Sequence, residues 1–137
     1  MSFFLWDPAL SVGIKEIDQE HIKWISYIER LHVAVEKGEG CQNVKALLEE
    51  IRACSEKHFK REENLFSQTD YPDAEYHKSL HVGYLKELDR LMKLCCDRPD
   101  LPVTHDILLS LKTWLTTHIQ DVDSHYTSYV VDKKTDI

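Results

Sequence analysis

Eight histidines are spread over 137 residues, and two pairs of positions among them carry chemical meaning. His58 and Glu62 stand four residues apart, as do His77 and His81. On an α-helix, residues at that spacing project from one face, one turn above the other. Imidazole and carboxylate groups so arranged are metal ligands, provided the rest of the chain brings more of them to the same place. His21, His118 and Asp123 are the further candidates. The question is whether the fold can assemble all seven.

The apolar positions supply the elements. After an arm over residues 1–17, interrupted by Pro8 and Gly13, the three-and-four spacing of Trp24, Ile25, Ile28, Leu31 and Val35 predicts a helix over 18–37, with Asp18 as its N-cap. Gly38 and Gly40 close it. A second helix is expected over 42–66, a third over 72–96 opened by Pro72, and a fourth over 102–120. The stretch Asp97 to Pro102 is read as a firm stop before the fourth. A short tail helix follows over 124–131. No strand pattern, low-complexity segment or repeat intervenes, so the expected fold is all-α: an up-down-up-down antiparallel four-helix bundle, one domain over 1–137.

Short loops allow the chain to be folded on paper, because antiparallel helices rise by equal steps from each turn. Reflected about a turn at Glu39–Gly40, position 58 falls on His21. Reflected about Thr69–Asp70, positions 58 and 62 fall on His81 and His77. Reflected about Pro99–Asp100, position 81 falls on His118, and 77 falls one residue short of Asp123. Each helix thus delivers ligands to one level of the bundle. Asp123 is out of step, since five residues after His118 is about 140° round a regular helix. A π-bulge or frayed end at Thr117–Val122 is therefore predicted.

Taken singly, each ligand has an ordinary reading. His21 or His118 is a capping or core histidine, His58 with Glu62 a helix-stabilising pair, and His77 with His81 as readily a surface pair as a metal-binding one. Taken together, seven polar groups at one level of a core carry a heavy desolvation cost unless a metal satisfies them. Five imidazoles and two carboxylates exceed what one ion uses, but suit two ions bridged by the carboxylates. Mixed nitrogen and oxygen ligation of high coordination number fits non-haem iron better than tetrahedral zinc. His32, His105 and His125 are read as structural or exposed, with His32 on the His21 face of its helix.

The bulk numbers narrow the partners. A net charge of −7 argues against nucleic acid or an anionic membrane. No apolar run reaches the ~20 residues of a membrane span, and none resembles a signal peptide. Cys41, Cys54, Cys95 and Cys96 lack C-x-x-C spacing and are expected as reduced thiols, so the chain reads as cytoplasmic. Cys95 and Cys96, being adjacent on a helix, face different ways and are not expected to pair.

With these residues in view, the sequence resembles the hemerythrin family in its bacterial single-domain form. The resemblance is carried by Trp6, Ser11-Val12-Gly13, Ile17-Asp18-Gln19-Glu20-His21, His58-Phe59-Lys60-Arg61-Glu62-Glu63 and Tyr71-Pro72. It continues through His77 with His81, Trp114-Leu115-Thr116-Thr117-His118-Ile119 and Asp123-Ser124-His125-Tyr126. The four-helix bundle is a known architecture of that family, myohemerythrin being a standard example. The resemblance implies two iron ions: one held by His77, His81 and His118, the other by His21 and His58, with Glu62, Asp123 and an oxo or hydroxo group bridging. It also implies an open position for O2 on the two-histidine iron, within an apolar pocket assigned to Phe59, Trp114, Leu115 and Ile119. Read from spacing alone, those four are equally ordinary core. Two residues depart from the family pattern: Trp24, near the open position, where leucine is general, and Phe66, where methionine is frequent.

The implied function is reversible O2 binding, for transport, storage or scavenging, by a protein that is not an enzyme. No acid or base beyond the ligands converges on the site. A second reading is an O2 or redox sensor, which in 137 residues would signal to a separate protein or through a dimer, with Tyr129-Val130-Val131 as one contact. Peroxide or nitric oxide turnover and iron storage stand third, because ferritin-like sites use Glu-x-x-His and this chain reverses the order. A monomer or weak oligomer is expected.

Overall fold

The computed structural model describes residues 2–97 and 103–135, apart from the side chains of residues 96 and 131–135. Residues 98–102 of the predicted stop and the side chains of Cys96 and Val131 fall outside what is described. Four main helices run α1 (Lys15–Glu36), α2 (Cys41–Thr69), α3 (Ala74–Asp97) and α4 (His105–Thr117). A π-helical turn, His118–Asp123, then leads into α5 (Ser124–Thr135), and a short 3₁₀ turn, Pro8–Leu10, precedes them all. Among the described residues there is no strand. α1 packs on α2, α2 on α3 and α1 on α4, the adjacency of an up-down-up-down bundle.

The apolar stripes meet as their spacing requires. Trp24, Ile25, Ile28 and Leu31 of α1 face Leu48, Ile51 and Phe59 of α2, Tyr84, Leu88 and Leu91 of α3, and Leu108, Leu111 and Leu115 of α4 in one cluster. A second cluster, Ile17, Phe66, Tyr71, Tyr126 and Val130, closes the other end with α5. The ligand level lies between them. Tyr129 ties α5 down by donating its hydroxyl to the Thr69 carbonyl at 2.9 Å.

α1 begins at Lys15, not at Asp18, and its N-cap residue is Ile14, which gives no side-chain cap. The Asp18 carboxylate is spent on the arm: it accepts from Ser11 Oγ at 2.5 Å and from the Val12 amide at 2.9 Å. Glu29 holds the arm further back, accepting from the amides of Phe3 and Phe4. Lys112 donates to the Phe3 carbonyl at 2.6 Å. The arm is therefore fixed along the bundle and buries Phe4 and Leu10.

The turns explain the remaining boundaries. Gly38, at φ +70°, ends α1 with paired bonds from Glu39 N to Ala34 O and from Gly38 N to Val35 O, a Schellman arrangement. α2 runs three residues beyond the expected 66 and stops where Asp70 takes a left-handed φ of 51°. α3 starts at Ala74, so Pro72 sits in the preceding turn rather than at the first helical position. α4 starts at His105, with Thr104 as a cap accepting from the Ile107 amide.

Candidate metal centre

The bundle brings the predicted ligands to one buried level in two groups. Glu62, His77, His81 and His118 offer ligand atoms all within 4.8 Å of one another, and so do His21, His58 and Asp123. Each of the seven side chains is at most 3 % exposed. α1 contributes His21, α2 His58 and Glu62, α3 His77 and His81, and the π turn His118 and Asp123.

The π turn is what admits Asp123. Its hydrogen bonds run from residue i to i+5, as in Ser124 N to Ile119 O. One turn therefore spans five residues instead of four, and both His118 and Asp123 face inward. The two carboxylates lie between the histidine groups. Asp123 Oδ1 is 3.0 Å from His77 Nε2 and 3.1 Å from His118 Nε2, whereas Oδ2 is 2.9 Å from His21 Nε2. Glu62 Oε1 is 3.1 Å from His81 Nε2, and Oε2 is 3.4 Å from His58 Nε2. Each carboxylate thus offers one oxygen to either group.

Two outer carboxylates fix the imidazoles. His58 Nδ1–H donates to Glu20 Oε1 at 2.8 Å, and Arg61 Nε donates to Glu20 Oε2 at 2.9 Å. His81 Nδ1–H donates to Glu63 Oε2 at 3.1 Å. An imidazole whose Nδ1–H is committed outward turns the Nε2 lone pair inward as a ligand. Flat rings add to this: Phe59 stacks on His81 at 3.8 Å, and Trp114 stacks on one further imidazole, His118, at 4.4 Å.

The electrostatics show groups that lean on one another. Burial alone would raise the Asp123 carboxyl, but the imidazoles of His118, His21 and His58 outweigh it and hold it well below its usual range. Glu62 is lowered likewise, chiefly by His58 against burial and the Asp123 charge. Burial would lower His58 and His77; the facing carboxylates win, raising His58 well above its ordinary value and His77 to about 9. Even so, both Glu62 oxygens, Asp123 Oδ1 and His81 Nε2 are buried at this level without a hydrogen bond. So many unsatisfied polar atoms at one level are costly. They are also the donor set that two cations of mixed nitrogen and oxygen preference would satisfy, so the residues present fit such a pair.

The aromatic residues form a layer against this level. Trp24 is fully buried, lies edge-on to His58 at 5.8 Å and to Phe59 at 5.4 Å, and donates Nε1–H to the Tyr84 hydroxyl at 3.1 Å. Tyr84 stacks on Trp114 at 4.2 Å. Leu115 and Ile119 belong to the same core cluster, and Trp114 packs against it half-buried. Tyr84, Glu20 and Glu63 were absent from the sequence reading of the site. The first looked like one more apolar position on its helix, and no spacing singles out the two glutamates among so many surface acids. Of the other histidines, His32 is half-buried and stacked on Phe3 at 4.3 Å, while His105 and His125 are exposed.

The family model described as hemerythrin HHE cation binding domain matches residues 12–130. The bacteriohemerythrin of Stenotrophomonas maltophilia (strain R551-3) is 28% identical over 130 residues, covering 95% of this chain and 83% of the relative. Hemerythrin subunit 2 of Golfingia vulgaris is 27% identical over 123 residues, covering 90% of each. A crystal structure of wild-type hemerythrin superposes with a TM-score of 0.86 at 22% identity, covering 94% of this chain and 98% of that one. At that identity the likeness concerns the fold.

Proposed function

Because the chain belongs to the hemerythrin HHE cation-binding family, we propose that it binds O2 reversibly at a non-haem di-iron centre. The observation that carries this reading is the pair of carboxylates, each with one oxygen toward either histidine group. His77, His81 and His118 would hold one iron, His21 and His58 the other, and Glu62 and Asp123 would bridge. The pair would supply the electrons that O2 takes up on binding and returns on release.

The chain's own residues serve that chemistry by exclusion and orientation. Phe59, Trp24, Leu115 and Ile119, all essentially buried, would keep bulk water and stray protons from the ligand level. Glu20 and Glu63 lock two imidazoles in the ligating tautomer. Beside the ligand set and its outer carboxylates the level also meets Tyr126, whose buried ring lies edge-on to His77 at 5.3 Å. A place in the cytoplasm and action without a tightly bound partner belong to the same proposal; no helix of the described residues is long and apolar enough to cross a membrane.

The test is a metal count on the purified protein, then anaerobic reduction and titration with O2 followed by visible absorption. Two irons per chain and a charge-transfer band that appears with O2 and leaves under vacuum are expected. Zinc alone, or one metal per chain, would defeat the reading. Two irons with immediate irreversible oxidation would favour the sensor alternative.

A further inference from the structure

A cleft of about 600 Å³ opens beside α2. Its wall carries Lys57, Lys60, Arg61 and Asn64, which recur at three and four along one helical face. Its floor is apolar, formed by Ile17, Leu65 and the buried Val130. Among the described residues Glu16 is the one acid lining it. Lys60 leans to Glu56 at 3.2 Å, whereas Lys57 has no carboxylate within ion-pair distance among the described residues. Arg61 spends Nε on Glu20, and its terminal guanidinium nitrogens make no hydrogen bond within the described protein.

Arg61 also begins a short relay. It is 47 % exposed, Glu20 is 18 % exposed, and His58, which Glu20 holds through Nδ1, is fully buried. Three side chains connect the cleft to a group facing the ligand level.

We propose that this cleft binds a small amphiphilic anion, a carboxylate on an apolar chain, and that its occupancy is transmitted to His58 through Arg61 and Glu20. An inorganic anion would leave the floor uncovered, and a neutral apolar molecule would make no use of the Lys57 and Arg61 charges. The volume is that of a small-molecule site. A carboxylate on the free guanidinium nitrogens shares the Arg61 charge with Glu20. Glu20, less neutralised, then accepts more strongly from His58 Nδ1–H, and Nε2 becomes the better donor to a metal. Only this last consequence rests on the di-iron reading.

Octanoate titrated into metal-free protein by calorimetry at low salt decides the site. Saturable one-to-one binding is expected, with acetate and phosphate at least about tenfold weaker, and with Lys57→Ala and Arg61→Ala each weakening octanoate by about tenfold. Absence of saturation, or affinity unchanged in both variants, overturns it. The relay is read in the same metal-free protein from the His58 side-chain nitrogen resonances. These should move with octanoate, and stay fixed in Glu20→Gln although octanoate still binds. Binding that leaves His58 unmoved, or moves it equally in Glu20→Gln, overturns the relay. In metal-loaded protein the charge-transfer band should shift as well. A metal count short of two irons would fault the di-iron reading and leave the metal-free results to decide the cleft.

Discussion

Trp24 is fully buried beside the ligand level, where the family pattern has leucine. Its indole fills space beside His58 and is pinned by the Tyr84 hydroxyl, so this side of the ligand level is closed by a hydrogen-bonded pair rather than a loose aliphatic chain. A Trp24→Leu substitution removes volume from a fully buried position and strands the Tyr84 hydroxyl. We expect it to cost about 2 kcal/mol of stability by urea denaturation, and to raise both the O2 association rate and the autoxidation rate in stopped-flow measurements. Rates identical to the parent would show that the indole does not border the route of entry. His21, His58, Glu62, His77, His81 and His118 were legible as a set because helical spacing and short loops place them by geometry alone. Tyr84 was not, because a tyrosine on an apolar stripe looks the same whether its hydroxyl has a partner or not.

The elements tell a similar story about what spacing encodes. Apolar periodicity located every helix, since each must bury a stripe, but it placed their ends poorly. Asp18 looked like an N-cap and instead grips the arm; a cap and a clamp use the same carboxylate, and only the path of the arm distinguishes them. Asp70 ends α2 in the left-handed region, where an L side chain is strained. Asp70→Gly should therefore raise stability by about 0.5–1 kcal/mol, seen as a higher urea midpoint at unchanged slope. A lower midpoint would mean that the chain gains more freedom when unfolded than the turn gains when folded.

Across the molecule, the bundle is two apolar clusters separated by a polar level. Such a level is a weakness until something satisfies its unpaired atoms. Removing the metal with a chelator should lower the melting temperature by about 10 °C. That is the scale expected when a ligand at about a thousand times its dissociation constant leaves a domain of this size. Calorimetry of loaded and stripped protein checks it, and equal melting temperatures would mean that the polar level is satisfied without a cation. The cooperative unit should remain one transition, since α1, α2, α3 and the π turn all contribute to the same level.

The π turn leaves the chain with one residue more than its helix needs. A single i to i+5 turn absorbs that surplus, so α4 before it and α5 after it keep the phase they would share in an unbroken rod. Shortening the rod by a residue therefore need not rotate Tyr126 and Val130 out of their cluster. Deleting the exposed Gln120 should yield a folded bundle, as stable as the metal-free parent or more so, whose His118 and Asp123 sit on a four-residue step. The carboxylate would then approach its partners from a different height, and metal content should fall although helicity does not. Circular dichroism beside a metal count would show the two properties separating. If both survived, the surplus residue would be a passenger; if only the fold survived, it is the part of this helix that exists for the metal.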